Sequence, residues 1–221
     1  MPLEERKLLQ RTAADLGVFL EEAHLDAFGT YLDELCLWNR RMNLTGLHSR
    51  ERMAVELVAD SLVPVPRLPD TGTLLDVGSG AGFPGIPIKI LKPALSVDLL
   101  EPSAKKQAFL KQAVRLLGLK DLRTLRGRAG NADPGLRAQG YDVVTARAVA
   151  GLREAVRLCA PHILPGGLLV GFVGGRREIA LRDASERLSE AELELEASMC
   201  YRLPGMEGSR HTLLFRRRAT S

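Results

Sequence analysis

The stretch Thr73-Leu-Leu-Asp-Val-Gly-Ser-Gly-Ala-Gly-Phe-Pro-Gly-Ile-Pro87 decides the fold. Leu74, Leu75 and Val77 form a short apolar run that reads as a strand. The chain then breaks into Gly78, Gly80 and Gly82, spaced two apart, and into Pro84, Gly85 and Pro87, with an apolar helix starting near Ile86. A strand feeding a glycine turn feeding a helix lets backbone N–H groups approach a ligand that a Cβ would keep away. About 20 residues further on, Leu95-Ser-Val-Asp-Leu-Leu-Glu101 reads as a second strand ending in an acid, and an acid at that distance takes the hydroxyls of a ribose in nucleotide-type sites.

The glycine spacing selects the ligand. A dinucleotide site uses G-x-G-x-x-G around a pyrophosphate, whereas this chain has G-x-G-x-G preceded by Asp76. That pattern resembles the first motif of the Rossmann-like S-adenosylmethionine methyltransferases. The resemblance narrows with Gly78-Ser-Gly-Ala-Gly-Phe-Pro-Gly-Ile-Pro87, Trp38-Asn-Arg-Arg-Met-Asn-Leu-Thr45, Asp60-Ser61, Leu100-Glu-Pro-Ser-Ala-Lys-Lys106 with Phe109-Leu110, and Ala146-Arg-Ala148. In this order, from about residue 30 to about residue 175, they resemble the RsmG (GidB) family of bacterial 16S rRNA guanine-N7 methyltransferases.

Composition bounds the alternatives. The chain has 221 residues, 45% hydrophobic and 26% charged, enough for one well-buried core with an appended segment. It has no apolar run of about 18 residues, so no membrane span is expected, and Met1-Pro-Leu-Glu-Glu-Arg-Lys is not a signal peptide. Cys36, Cys159 and Cys200 lie far apart in apolar contexts and are expected to be buried free thiols in a reducing cytoplasm. His24, His48, His162 and His211 do not cluster with them, and no metal-ligand spacing appears. The net charge of +4 is uneven: residues 1–70 carry 8 basic and 12 acidic side chains, while residues 89–128 carry 10 basic and 3 acidic. A basic segment beside a cofactor site points to a polyanionic substrate. A methyltransferase of a small molecule or a protein stays open as the alternative, since it would share the cofactor motif.

In chain order, helices are predicted over 4–16, 21–38 and 50–63, the second carrying Phe28, Tyr31, Leu32, Leu35 and Trp38 at helical spacing. This stripe reads as packing rather than as a base-stacking platform; Trp38 directly precedes Asn39-Arg40-Arg41, which leaves open that one edge of its ring faces a ligand. Asn43-Leu-Thr-Gly46 reads as a turn. Pro64, Pro66 and Pro69 then separate an N-terminal helical segment, 1–70, from an α/β domain, 71–221. From Thr73 strands and helices alternate, which implies a mostly parallel sheet covered on both faces. Strands are predicted at 73–77, 95–100, 122–126, 141–145 and 168–173, the last after a Pro165-Gly166-Gly167 turn. Helices are predicted at 85–92, 103–117, 151–160 and 176–190. Two further strands, 192–202 and 210–217, form an antiparallel hairpin. The expected architecture is a seven-stranded Rossmann-like methyltransferase sheet.

Open parallel sheets bind ligands at the carboxyl ends of their strands, which brings together Gly78–Gly85, Glu101–Ser103, Arg128–Asn131 and Thr145–Ala148. The resemblance implies S-adenosylmethionine as cofactor and 16S rRNA or the small ribosomal subunit as partner, for a monomer without a metal. It implies that Gly78, Gly80 and Gly82 pass beneath the methionine part, that Phe83 covers it, that Glu101 and Ser103 hold the ribose turn, and that Ala129-Gly130 borders the adenine. Arg147 is the implied catalytic and cofactor residue, contacting the cofactor carboxylate or the target base; a structural salt bridge to Asp76 or Glu101 is the alternative. Asn39, Arg40, Asn43 and Arg128 are candidate RNA contacts, and Lys105, Lys106 and Arg115 extend them on charge alone. The chain departs from the family pattern at Leu57, where a histidine is usual, at Gly130, where an acid is usual and Asp133 is a nearby substitute, and at Val173, where a lysine is usual.

Overall fold

The computed structural model describes residues 1–130, 135–147 and 151–219. Three helical stretches open the chain: α1 (Leu3–Asp15), α2 (Glu22–Met42), and a continuous run made of α3 (Arg50–Met53), a π-helix (Ala54–Ala59) and α4 (Asp60–Leu62). Seven strands follow, β1 (Gly72–Val77), β2 (Leu95–Leu100), β3 (Leu122–Leu125), β4 (Tyr141–Ala146), β5 (Ile163–Val173), β6 (Leu193–Tyr201) and β7 (Arg210–Arg217). Between them lie α5 (Gly85–Leu91), α6 (Ala104–Leu116), α7 (Leu152–Cys159) and α8 (Arg177–Glu190). The sheet order is β3-β2-β1-β4-β5-β7-β6. Strands β1 to β5 pair in parallel, and β7 runs antiparallel to both β5 and β6.

Strand periodicity explains the layers. Successive residues of a strand point to opposite faces. Leu74, Val143, Leu168 and Leu214 enter one core, shared with the N-terminal helices, α5 and α6. Leu75, Val144, Leu169 and Leu213 enter the other, beneath α7 and α8. The segment 1–70 therefore shares its core with one face of the sheet. In α2 the expected stripe of Phe28, Tyr31, Leu32 and Leu35 is fully buried. The helix runs on to Met42, past the expected end at residue 38, with Arg40 and Arg41 in its last turn, where cations suit the helix dipole.

Several local expectations are corrected. The predicted helix 50–63 contains a π-helical turn, which the apolar run 53–59 does not announce. Strand β5 begins at Ile163 and includes Pro165 and Gly166. The register against β4 jumps from Tyr141↔Ile163 to Val143↔Leu168, so the expected turn is an irregularity within a strand, where a proline with no N–H leaves the ladder. Only Cys159 of the three thiols is buried; Cys36 is half-buried and Cys200 is exposed, because β6 is an edge strand. The indole of Trp38 is half-buried; it packs edge-on against Phe109 at 5.8 Å and donates to Glu34 at 2.7 Å, in keeping with a packing role for the stripe.

The topology creates the crevice. Strand β1 leads through α5 to β2 on one side, and the chain later returns to place β4 on the other side of β1. At that reversal the strand ends are level, with Val77 opposite both Leu100 and Ala146. The turns after β1, β2 and β4 open side by side, where such sheets bind their ligands.

Candidate active site

The glycine turn is held from below by Asp76. Its carboxylate accepts the Gly85 N–H at 3.0 Å and the Thr145 hydroxyl at 2.9 Å, so one buried side chain ties the end of β1 to the start of α5 and to β4. Gly78, Gly80 and Gly82 have φ of +70°, +59° and +93°, a region that side chains with a Cβ rarely adopt. No atom lies within 4 Å of where a Cβ on Gly78 would stand. Gly78 lines a cavity of about 510 Å³ with Leu100, Pro102, Arg128, Ala129, Gly130 and Arg147 among its walls.

Glu101 closes the lip of the turn. It is buried, with one carboxylate oxygen accepting the Gly80 N–H at 2.9 Å and the other the Ser103 N–H at 2.8 Å. Each oxygen has a second lone pair, so the carboxylate keeps one acceptor site per oxygen for a pair of vicinal hydroxyls. Ser103 caps α6, its hydroxyl accepting from the Lys106 N–H at 3.5 Å.

Burial pushes the Asp76 carboxyl up from 3.8 to about 6, against its hydrogen bonds from Thr145 and Gly85 and the nearby charge of Arg147. Between pH 4 and 6 the folded protein therefore binds more protons at this site than the unfolded chain, and this group alone makes stability fall as the pH rises through that window. At about 1.4 kcal/mol per pK unit the penalty above pH 6 is on the order of 3 kcal/mol. Asp76→Asn is expected to remove this slope, so that wild type loses stability relative to the variant from pH 4 to pH 6.5 in urea unfolding. A constant difference between the two curves would show that Asp76 does not titrate there.

Arg147 follows β4 and is 13% exposed. Its guanidinium is turned onto the N-terminal segment: Nε lies 3.2 Å from Asp60 Oδ2, one terminal nitrogen donates to the Leu57 carbonyl at 3.2 Å and to Ser61 Oγ at 3.4 Å, and the other donates to the Glu56 carbonyl. The expected alternative of a salt bridge to Asp76 or Glu101 is thus corrected to Asp60. The two carbonyls belong to the π-helix, whose wider turn presents them to the arginine. Asp60 is fully buried and also accepts from Tyr201 at 2.7 Å and from Arg210 at 2.8 and 3.1 Å.

Other candidates are placed differently from expectation. The Phe83 ring packs on Tyr31 at 5.2 Å within the core, so its side chain is engaged away from the cavity wall. Asn39 is buried; its amide donates to Leu47 O and accepts from Thr45 N, both at 2.8 Å, which builds the 43–46 turn and leaves little for RNA. Asn43 caps α2 in the left-handed region at φ +48°. Arg40 and Arg128 are exposed, Arg40 beside the α2–α3 groove and Arg128 on the wall of the cavity. Lys89 leaves the basic segment: it is buried and donates to Pro93 O and Leu95 O. Lys92 and Arg123 pair with Asp70 and Asp98. Asn131, Asp133 and Ala148 lie outside the described residues.

The family model described as rRNA small subunit methyltransferase G (GidB) matches residues 24–206. The chain belongs to this family. A ribosomal RNA small subunit methyltransferase G from Acetivibrio thermocellus is 35% identical over 218 residues, covering 97% of this chain and 89% of the relative. One from a Roseiflexus species is 39% identical over 206 residues, covering 90% and 86%. Among solved structures, a ribosomal protein L11 methylase from Lactobacillus delbrueckii subsp. bulgaricus superimposes with a TM-score of 0.59 at 19% identity, over 79% of this chain and 81% of that one. Fibrillarin from Aeropyrum pernix, solved with natively bound S-adenosyl-L-methionine, gives 0.53 at 17%, over 67% and 68%. At such identities the likeness shows the fold, the Rossmann-like methyltransferase sheet.

The departures from the methyltransferase G pattern have physical readings. Leu57 serves Arg147 through its backbone carbonyl, which any side chain at that position supplies. Gly130 has φ +90°, where glycine is unstrained and an acid is not. Val173 ends β5 opposite His211. The sequence reading missed Arg210 and Tyr201 altogether. Their only local signal was polarity inside the C-terminal hairpin, and nothing in the surrounding residues names Asp60 as their partner.

Proposed function

We propose that this chain transfers a methyl group from S-adenosylmethionine to N7 of a guanine in 16S rRNA of the small ribosomal subunit. Family membership supports the substrate class. The observation that carries the cofactor assignment is Glu101, a carboxylate fixed by two backbone N–H groups at the lip of a glycine turn, with an acceptor site left on each oxygen. The residues fit the donor: Glu101 for the ribose, the open side of Gly78 for the methionine chain, Ala129 and Gly130 beside the adenine, and Arg147 at the far wall.

The donor brings an electrophilic methyl carbon on a sulfonium, and guanine N7 has a lone pair that needs no deprotonation. The protein's work is therefore to hold the guanine in line and keep water out. An arginine fork spanning guanine O6 and N7 would occupy the reacting nitrogen, and the Arg147 fork is in any case committed largely to Asp60 and the π-helix. Polyanion binding draws on exposed cations at the carboxyl ends of the strands: Arg128 on the cavity wall, Arg126 just after β3 and Lys105 in the first turn of α6, whose side chains have no hydrogen bond or ion pair among the described residues. A base inside folded rRNA must be exposed or flipped to reach the crevice. The reading entails a cytoplasmic enzyme acting as a monomer. Among the described residues no helix is long and apolar enough to cross a membrane and no group of three or more His, Cys, Asp or Glu is placed to hold a metal.

The test is tritiated methyl transfer to 30S subunits and to naked 16S rRNA, with wild type and Arg147→Ala side by side, followed by mapping of N7-methylguanine by borohydride–aniline cleavage. The expected result is label at one guanine that falls by about 100-fold or more in the variant, the scale of a misplaced positioning group. Absence of label on every rRNA form, with the cofactor still bound, would assign the protein another substrate.

A further inference from the structure

The cluster around Asp60 joins three distant parts of the chain behind Arg147, its one member on the wall of the cavity. Asp60 comes from the N-terminal segment, Arg147 from the end of β4, and Tyr201 and Arg210 from the C-terminal hairpin. Tyr201 is itself bonded to Thr212, at 3.3 Å, so the carboxylate is fixed from the hairpin side by two donors. On its other side it takes Nε of Arg147, while the Glu56 and Leu57 carbonyls and Ser61 Oγ take the terminal nitrogens.

A free arginine samples many rotamers, and ordering it costs side-chain entropy. Here that cost is met within the protein, before any ligand arrives. A guanidinium has five N–H groups, and these contacts leave at least one without an acceptor among the described residues. The side chain lines the same cavity as Gly78, across the β1–β4 gap. On the proposed function, the group lying over Gly78 is the amino-acid end of the methyl donor, which carries that donor's only carboxylate. The nearby acids are committed elsewhere: Asp76 to Gly85 and Thr145, Glu101 to Gly80 and Ser103, Glu154 to Arg157.

We infer that Asp60 is a positioning residue, held by Arg210 and Tyr201, which aims Arg147 at the carboxylate of the bound methyl donor. The inference rests on the proposed cofactor. It assigns to the C-terminal hairpin, about as far along the chain from the glycine turn as a residue can be, a part in cofactor selection.

The test compares two ligands by isothermal titration: S-adenosylhomocysteine, and 5′-methylthioadenosine, which keeps the adenosine and the thioether but lacks the amino-acid end. The variant is Asp60→Asn combined with Arg210→Met, which removes one negative and one positive charge together and leaves Arg147 without its anchor at unchanged net charge. S-adenosylhomocysteine is expected to bind about tenfold more weakly, the worth of a charge-assisted hydrogen bond, with methylthioadenosine unchanged. Equal weakening of both ligands, or no weakening of either, overturns the inference. If the double variant does not fold, Tyr201→Phe, which alters no charge, carries the same comparison with an expected two- to threefold selective loss; an unselective or absent change there overturns it equally. Failure of wild type to bind either ligand would sink the methyl-donor reading itself, whereas binding without selectivity sinks only the role of Asp60.

Discussion

Asp60→Ala is expected to lower the unfolding free energy by about 3–5 kcal/mol, the cost of removing one partner from a buried ion pair. Asp60 is fully buried between Arg147 and Arg210, with Tyr201 on the same oxygen as Arg210 Nε. Without the carboxylate, two guanidinium groups lose their counter-ion and the tyrosine its acceptor, none of them free to swing fully into water. Against a typical total of about 5–15 kcal/mol, this is a large share. Arg210 is 27% exposed, so it escapes more readily than Arg147, and Asp60→Ala with Arg210→Met is expected to recover part of the loss. Urea unfolding of the single and double variants measures both. A loss below about 1 kcal/mol for the single variant would mean that packing alone docks the N-terminal helices on the sheet.

Gly82→Ala is expected to destabilise by about 2–4 kcal/mol, from backbone strain and overpacking together. Gly82 sits at φ +93°, and a Cβ there would stand 2.5 Å from Ile86 Cδ1 and 2.6 Å from the Tyr31 hydroxyl. Both neighbours are fully buried, so a shift of either disturbs the core around it. Ile86 opens α5 in the core, and the fully buried Tyr31 hydroxyl donates to the Ala81 carbonyl, one residue before the glycine. Through this contact α2 braces the glycine turn from the side opposite the cavity. Gly78→Ala is the control. Its φ of +70° carries strain, but no atom lies within 4 Å of the added Cβ. Stability should fall by only about 1 kcal/mol, while S-adenosylhomocysteine binding weakens because the methyl group enters the cavity. Thermal unfolding of the pair, with titration of the cofactor product, separates the two effects. Equal stability losses would show that the crowding around Gly82 relaxes freely.

Much of this protein is legible along the chain because its chemistry is local. The short, nearly continuous apolar runs at 74–77, 95–100 and 141–146 can be buried on both faces only as central strands, and they are. The triplet Gly78, Gly80 and Gly82 announces positive φ because no other residue adopts three such turns at low cost. Glu101 announces its place at the lip of the glycine turn because a fixed strand and turn separate it from those glycines, and it accepts the Gly80 N–H there. Ser103 caps a helix wherever it precedes one. Each of these follows from a few consecutive residues and a strand or helix period.

What the sequence could not decide is which distant groups meet. Phe83 and Asn39 stand in motifs that resemblance reads as ligand contacts, yet the tertiary structure engages Phe83 with Tyr31 and Asn39 with its own turn. Lys89 looks like part of a basic belt until the fold buries it among carbonyls. Arg147 looks free to take a ligand until the N-terminal segment arrives, 86 residues away at Ser61. Its anchor Asp60 is completed by Tyr201 and Arg210, 141 and 150 residues away. Periodicity and glycine spacing determine strands, turns and the cofactor cradle, since backbone sterics act over a few bonds. The pairing of a buried charge depends on which elements the two cores bring face to face, and that is settled only when the whole sheet and its helices have packed.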